Sequence, residues 1–241
     1  MPFGLLIRRT LPETFPAHAQ AAREHTALRP YLGVAVIGLL VLASGTIGTY
    51  TKNYMTTYAI ATLHMPTTVA FAATIVAGFC GVCFDLVGGA LSDRVGRRNM
   101  MLVPMGVLLM MILPAFYAIS HYRTSVVLLG ATAILSIVSS LSMCTMVIWL
   151  AESFPKEIRS GAISVVYAFA IATFGGTTQY AETWLIKLTG NPLAPAWYWT
   201  GAALIGIGAI WATRETAPQK LRDSAPAELA AGDVTPGASI Q

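Results

Sequence analysis

The chain has 241 residues, of which 55% are hydrophobic and only 11% charged, and its mean hydropathy is +0.64. That balance excludes a soluble globular domain and puts the chain in a lipid bilayer. The formal charge of +4 comes without a basic patch interleaved with aromatics, so it excludes nucleic acid as a partner and leaves membrane topology to account for the cations.

Residues 1–30 open with Phe3-Gly4-Leu5-Leu6-Ile7 and turn polar through Arg8-Arg9-Thr10-Leu11-Pro12-Glu13-Thr14. The apolar part is too short for the core of a cleaved signal peptide, and it reads as the tail of a preceding transmembrane helix followed by a cytoplasmic linker. From Tyr31 the apolar runs come at membrane-crossing length, since a hydrocarbon core of about 30 Å takes roughly 20 helical residues. Runs at 31–55, 67–91, 100–119, 124–150, 160–186 and 196–213 predict six helices in one bundle spanning 31–213, with turns at 64–66, 88–98, 120–123, 152–157 and 189–195. Beyond Arg214 the chain is rich in Ala, Pro and acids with no apolar period, so 214–241 reads as a disordered cytoplasmic tail.

Lysines and arginines sort by side. With the 88–98 turn facing the cytoplasm, that side carries Arg8, Arg9, Arg23, Arg29, Arg94, Arg97, Arg98, Lys156, Arg159, Arg214, Lys220 and Arg222, against Lys52, Arg123 and Lys187 outside. Twelve against three satisfies the positive-inside rule and puts both termini in the cytoplasm. Tyr50, Tyr54, Tyr58, Trp184, Trp197, Tyr198 and Trp199 gather toward the outer interface, and Trp149 and Trp211 toward the inner one.

The densest charge cluster is Gly88-Gly89-Ala90-Leu91-Ser92-Asp93-Arg94-Val95-Gly96-Arg97-Arg98. Three arginines and an aspartate between two apolar runs mark a membrane-water boundary. Gly89 suits close approach of a neighbouring helix, Asp93 suits the positive end of a helix, and Gly96 suits a tight reversal. Gly-x-Leu-Ser-Asp-Arg-x-Gly-Arg-Arg resembles the signature of the major facilitator superfamily of secondary transporters, where it joins the second and third helices of a six-helix half. A second charged turn, Glu152-Ser153-Phe154-Pro155-Lys156-Glu157-Ile158-Arg159, breaks at Pro155 and is similar to the loop between the fourth and fifth helices of such a half. The resemblance implies an inner-gate latch in which Glu152 and Arg159 share a salt-bridge network with Asp93 and Arg97, flanked by Arg94 and Arg98.

The string Arg8-Arg9-x-Leu-Pro-Glu-Thr, the Asn53-Tyr54-Met55 segment and the Phe174-Gly175-Gly176-Thr177-Thr178-Gln179-Tyr180 run are similar to the metabolite:proton symporters within that superfamily, a likeness covering residues 3–215. It implies a bacterial inner-membrane protein that moves organic acids such as citrate, ketoglutarate and dicarboxylates, or zwitterions such as proline and betaine, together with protons. It also implies that the chain corresponds to the C-terminal six-helix half of a twelve-helix fold, its partner being a missing N-terminal half.

Ionisable groups inside a span cost about 2.5–3.5 kcal/mol at the centre, which makes them functional candidates. Asp85 is such a group, suited either to carrying a proton or to pairing with an inner-gate arginine. Glu182 is the other, suited to a proton or to reaching interfacial water. Asn53, Tyr54, Tyr58, Gln179 and Tyr180 are candidate solute contacts, because polar groups on apolar helices need partners; helix-helix interfaces can satisfy them equally. Cys80-x-x-Cys83 has no further ligands at metal spacing and reads as packing thiols. His18, His25, His64 and His121 are scattered in loops, and no cofactor, metal cluster or Ser/His/Asp set supports an enzyme. The alternative to a transporter half is a truncated membrane protein without transport of its own, or a subunit that needs a partner half.

Overall fold

A computed structural model describes residues 31–156, 158–213 and 216. The expected linker at 1–30 and nearly all of the expected tail at 214–241 lie outside the described residues. Among the described residues the chain forms six helices and no strand: α1 (Leu32–Ala61), α2 (Thr67–Val95), α3 (Arg97–Tyr122), α4 (Ser125–Glu152), α5 (Arg159–Thr189) and α6 (Ala194–Trp211). The first five are long and apolar enough to cross a membrane. The sixth has 18 residues, opens on Ala-Pro-Ala-Trp-Tyr-Trp and is not among those five.

Helix boundaries differ from the sequence expectation in two instructive places. First, α1 does not stop at 55. Ala59-Ile60-Ala61 continues it, and termination waits for the left-handed His64 (φ 55°) and Pro66, which caps the start of α2. The 30 residues of α1 span about 45 Å at 1.5 Å per residue, so Lys52 lies within the helix and not at its end. Second, the signature stretch is not a loop. Helix α2 runs through Val95, α3 starts at Arg97, and Gly96 alone makes the break with φ 102° and ψ 145°, a conformation open in practice only to glycine.

Packing follows from small residues meeting large ones. Helix α4 lies against both α2 and α3, and α6 lies against α1 and α3. Where α2 crosses α4, a Cβ on Gly88 would come within 3.0 Å of the Leu141 Cα, whereas one on Gly89 would meet the Cys144 Sγ at an ordinary 3.5 Å. The close approach expected at Gly89 therefore belongs to its neighbour. Phe116, Ile112, Met105 and Met101 of α3 join Leu135 and Met146 of α4, Trp199 of α6 and Tyr58 of α1 in one apolar core. Tyr58 meets Phe116 edge to face, with ring centroids 5.7 Å apart. The opposite side of α2 is unpartnered and apolar: Phe71, Ile75, Phe79, Val82 and Leu86 are all largely exposed, as a lipid-facing or helix-facing surface must be.

Helix α5 is continuous but irregular. A π-helical turn at Ile171–Gly175 interrupts it, at the Gly175-Gly176 pair whose weak helix propensity invites such a turn. Tyr50 of α1 fills the space in front of Gly175, with ring atoms 2.6 and 2.9 Å from where a Cβ would stand. Tyr50 thus packs between helices and is not part of an interfacial belt.

Candidate functional site

Four helices wall a cavity of about 360 Å3, within the size range of ligand clefts. Thr49, Lys52 and Asn53 of α1 share one face by i, i+3, i+4 spacing, and Thr74, Ala77, Gly78, Gly81 and Asp85 form the matching stripe of α2. Ser140 and Met143 of α4 and Tyr167 of α5 complete the lining. Ala, Gly, Ser and Thr at these positions leave the space open; the two charges give it character.

Those charges are Lys52 and Asp85. The Asp85 carboxylate acts electrostatically on Lys52 and lies beside the Ser140 hydroxyl. Among the described residues, however, no carboxylate comes within the 4.0 Å of an ion pair to Lys52. An ammonium and a carboxylate thus face one cavity without neutralising each other in direct contact. Asp85 was legible in the sequence as an in-span acid; the cation that acts on it electrostatically is Lys52, and among the described residues no inner-gate arginine pairs with it. Lys52 was missed as a site residue, because near the end of the expected 31–55 helix it was counted among the outside cations; the continuing Ala59-Ile60-Ala61 was the signal that the helix runs on past it.

Glu182 of α5 lies on another side of α1 and is fully buried, so it does not reach interfacial water. The Thr51 hydroxyl is bonded to its Oε1, while its Oε2 has no hydrogen-bond partner among the described residues. The same hydroxyl lies 2.9 Å from the Ile47 carbonyl. Thr51 has one proton, so it can donate to an ionised Glu182, or donate to Ile47 and accept from a protonated one.

The remaining solute candidates separate by helix face. Asn53 lines the cavity. Tyr54 and Tyr58, one and five residues on, are buried toward α5 and the turn before α6: the Tyr54 hydroxyl lies 3.1 Å from the Thr183 Oγ1, and the Tyr58 hydroxyl donates to the Pro192 carbonyl at 2.8 Å. Gln179 and Tyr180 are exposed on α5 and do not line the cavity.

At the Gly96 end, charges gather on Arg97. The residue is only 4% exposed, yet its guanidinium reaches Asp93 at 2.6 Å and forks onto Glu152, with Nη2 to Oε1 at 2.9 Å and Nε to Oε2 at 3.2 Å. A third donor goes to the Ser92 hydroxyl. The fork geometry is specific to arginine, and it ties the α2–α3 junction to the end of α4. Thr216 adds a hydrogen bond to Glu152 Oε2 at 2.7 Å. Arg98 lies over the Trp211 ring, 5.6 Å from its centroid, and donates to the Trp211 carbonyl at 3.0 Å, tying α3 to the end of α6. Arg159 does not join the cluster: Pro155 turns the chain so that the Arg159 Nε donates to the Phe154 carbonyl at 3.1 Å. Arg94 is exposed.

A bundle that is all-helical among the described residues, with five helices long and apolar enough to cross a membrane, defines an integral membrane protein. The sequence pattern of the Major Facilitator Superfamily matches residues 22–236, and the chain belongs to that superfamily, its six helices forming one half of the twelve-helix fold. It is similar to the citrate-proton symporter of Klebsiella pneumoniae, at 28% identity over 86% of this chain and 48% of that protein. It is also similar to a proline/betaine transporter of Staphylococcus aureus, at 29% identity over 93% of this chain and 50% of that protein, and to the citrate-proton symporter of Salmonella typhi, at 28% identity over 87% and 50%. The chain therefore spans about half the length of the curated relatives it matches. No solved structure gives a significant match.

Proposed function

We propose that the chain supplies the C-terminal half of a secondary active transporter that moves a small carboxylate-bearing solute, an organic acid or a zwitterion, together with protons by alternating access. The observation that carries this reading is the cavity with Lys52 and Asp85 on its walls: charges held inside a membrane bundle mark a pathway or a relay. Transport in this fold works by rocking two halves about a midplane site, so the partner is an N-terminal six-helix half. The setting is a bacterial inner membrane with both termini and the Gly96 end cytoplasmic.

Within that cycle, Asn53 and Lys52 contact the solute. Glu182 carries the proton, because the Thr51 hydroxyl can match either of its protonation states. The Arg97 fork onto Asp93 and Glu152 latches the inner side when the pathway opens outward, and Gly89, Gly96 and Pro155 shape the chain around it. Lys52 belongs inside the pathway, which leaves twelve cytoplasmic cations against Arg123 and Lys187 outside and strengthens the orientation.

The test is uptake of labelled citrate and glycine betaine into vesicles containing the chain with a co-expressed N-terminal half. Accumulation that a protonophore abolishes is the expected result. Accumulation indifferent to the protonophore refutes the coupling, and no accumulation of either solute refutes the transport reading.

A further inference from the structure

A second, much smaller cavity of about 10 Å3 lies in the core, on the order of the space one water molecule needs. Its walls come from α1 (Ser44, Gly48), α3 (Met105), α4 (Ser139, Met146) and α6 (Trp199). Trp199 is only 1% exposed, so it packs in the core rather than in an interfacial belt. Its indole Nε1 stands 2.7 Å from where a Cβ on Gly48 would be, which aims the N–H into the space that Gly48 leaves open. Indole Nε1 can only donate, and a buried indole N–H normally has an acceptor. Among the described residues it has none. Ser139, also buried, likewise makes no side-chain hydrogen bond among the described residues. The Ser44 hydroxyl donates to the Val41 carbonyl at 2.8 Å and keeps its lone pairs.

We propose that this cavity binds one ordered water, held by Trp199, Ser139 and Ser44 and tying α1, α4 and α6 together. The water accepts from Nε1 and donates to the two hydroxyl oxygens, which makes the three hydrogen bonds usual for a buried water. A cation is disfavoured, because the N–H turns its positive end into the space. No organic solute fits in about 10 Å3. All four walls belong to this chain, so the site is complete without a partner half and independent of what the chain transports.

Millisecond X-ray radiolysis of the full chain in lipid nanodiscs, read by peptide mass spectrometry, tests this. Hydroxyl radicals formed from a bound water oxidise the side chains that touch it, even where bulk water has no access. The methionines supply the comparison: Met105 and Met146 line the cavity, whereas Met55 and Met101 are as deeply buried and do not. With a scavenger quenching radicals in the bulk, Met105 and Met146 are expected to oxidise about tenfold faster than Met55 and Met101. Ser139→Ala and Trp199→Phe, each checked for helical content, are expected to slow Met146 about fivefold while exposed Met110 keeps its rate. Equal rates at the four core methionines overturn the proposal, and so does fast oxidation of Met146 that neither variant slows.

Discussion

At the scale of single residues, Arg97 shows how a buried charge is made tolerable. A lone arginine at 4% exposure would carry a desolvation penalty of several kcal/mol, and the fork onto Glu152 together with Asp93 and Ser92 offsets it. Because Asp93 is 57% and Glu152 27% exposed, Arg97→Ala is expected to cost about 2–3 kcal/mol, below the value for a fully enclosed pair. Arg97→Lys should recover part of that but not the bidentate bond, while Asp93→Asn, on the exposed partner, should cost under about 1 kcal/mol. Thermal unfolding in detergent orders the three. Equal loss from Asp93→Asn and Arg97→Ala would contradict the ranking. The charged residues of this cluster were legible because they stand in two charged turns, around Asp93–Arg98 and Glu152–Arg159, but their wiring was not. Arg159 was drawn away by a carbonyl that the Pro155 turn presents, and no spacing rule reveals that.

At the scale of helices, length and apolarity were enough to place all six, and their ends were where sequence reading slipped. A run of 20 apolar residues says that a helix can cross, not where it stops, and the six residues beyond 55 leave Lys52 within the helix, on the wall of the cavity. The Gly96 break is the reverse case: what reads as a loop is two helices meeting at one residue, because glycine alone can adopt φ 102° there. Gly88 makes the α2–α4 crossing testable. With the Leu141 backbone 3.0 Å from a built Cβ, Gly88→Ala must push backbone against backbone and should cost about 1–3 kcal/mol. Gly106→Ala in α3, where nothing lies within 4 Å, should instead be neutral or stabilise by up to about 1 kcal/mol through helix propensity. Chemical denaturation of both variants in the same micelle decides it, and equal effects would mean that the crossing is looser than described.

At the scale of the whole molecule, the bundle sorts its side chains three ways: an apolar core among α1, α3, α4 and α6, an apolar exterior on α2, and polar groups turned inward between α1, α2 and α4. The first two were readable from hydropathy. The third was only half readable, since Asn53 and Asp85 stood out as polar residues in apolar runs while Tyr54 and Tyr58 looked equivalent and turned out to pack toward α5 and the turn before α6. The account rests on the cavity being an aqueous space inside a membrane-embedded bundle. Its most direct measurement is thiol labelling of single cysteines placed at Ala77 and Ile75 in a chain with Cys80, Cys83 and Cys144 replaced by serine. The cavity-facing Ala77→Cys should react with a membrane-impermeant maleimide, and Ile75→Cys, on the exposed apolar side of the same helix, should not; the opposite pattern would contradict the account.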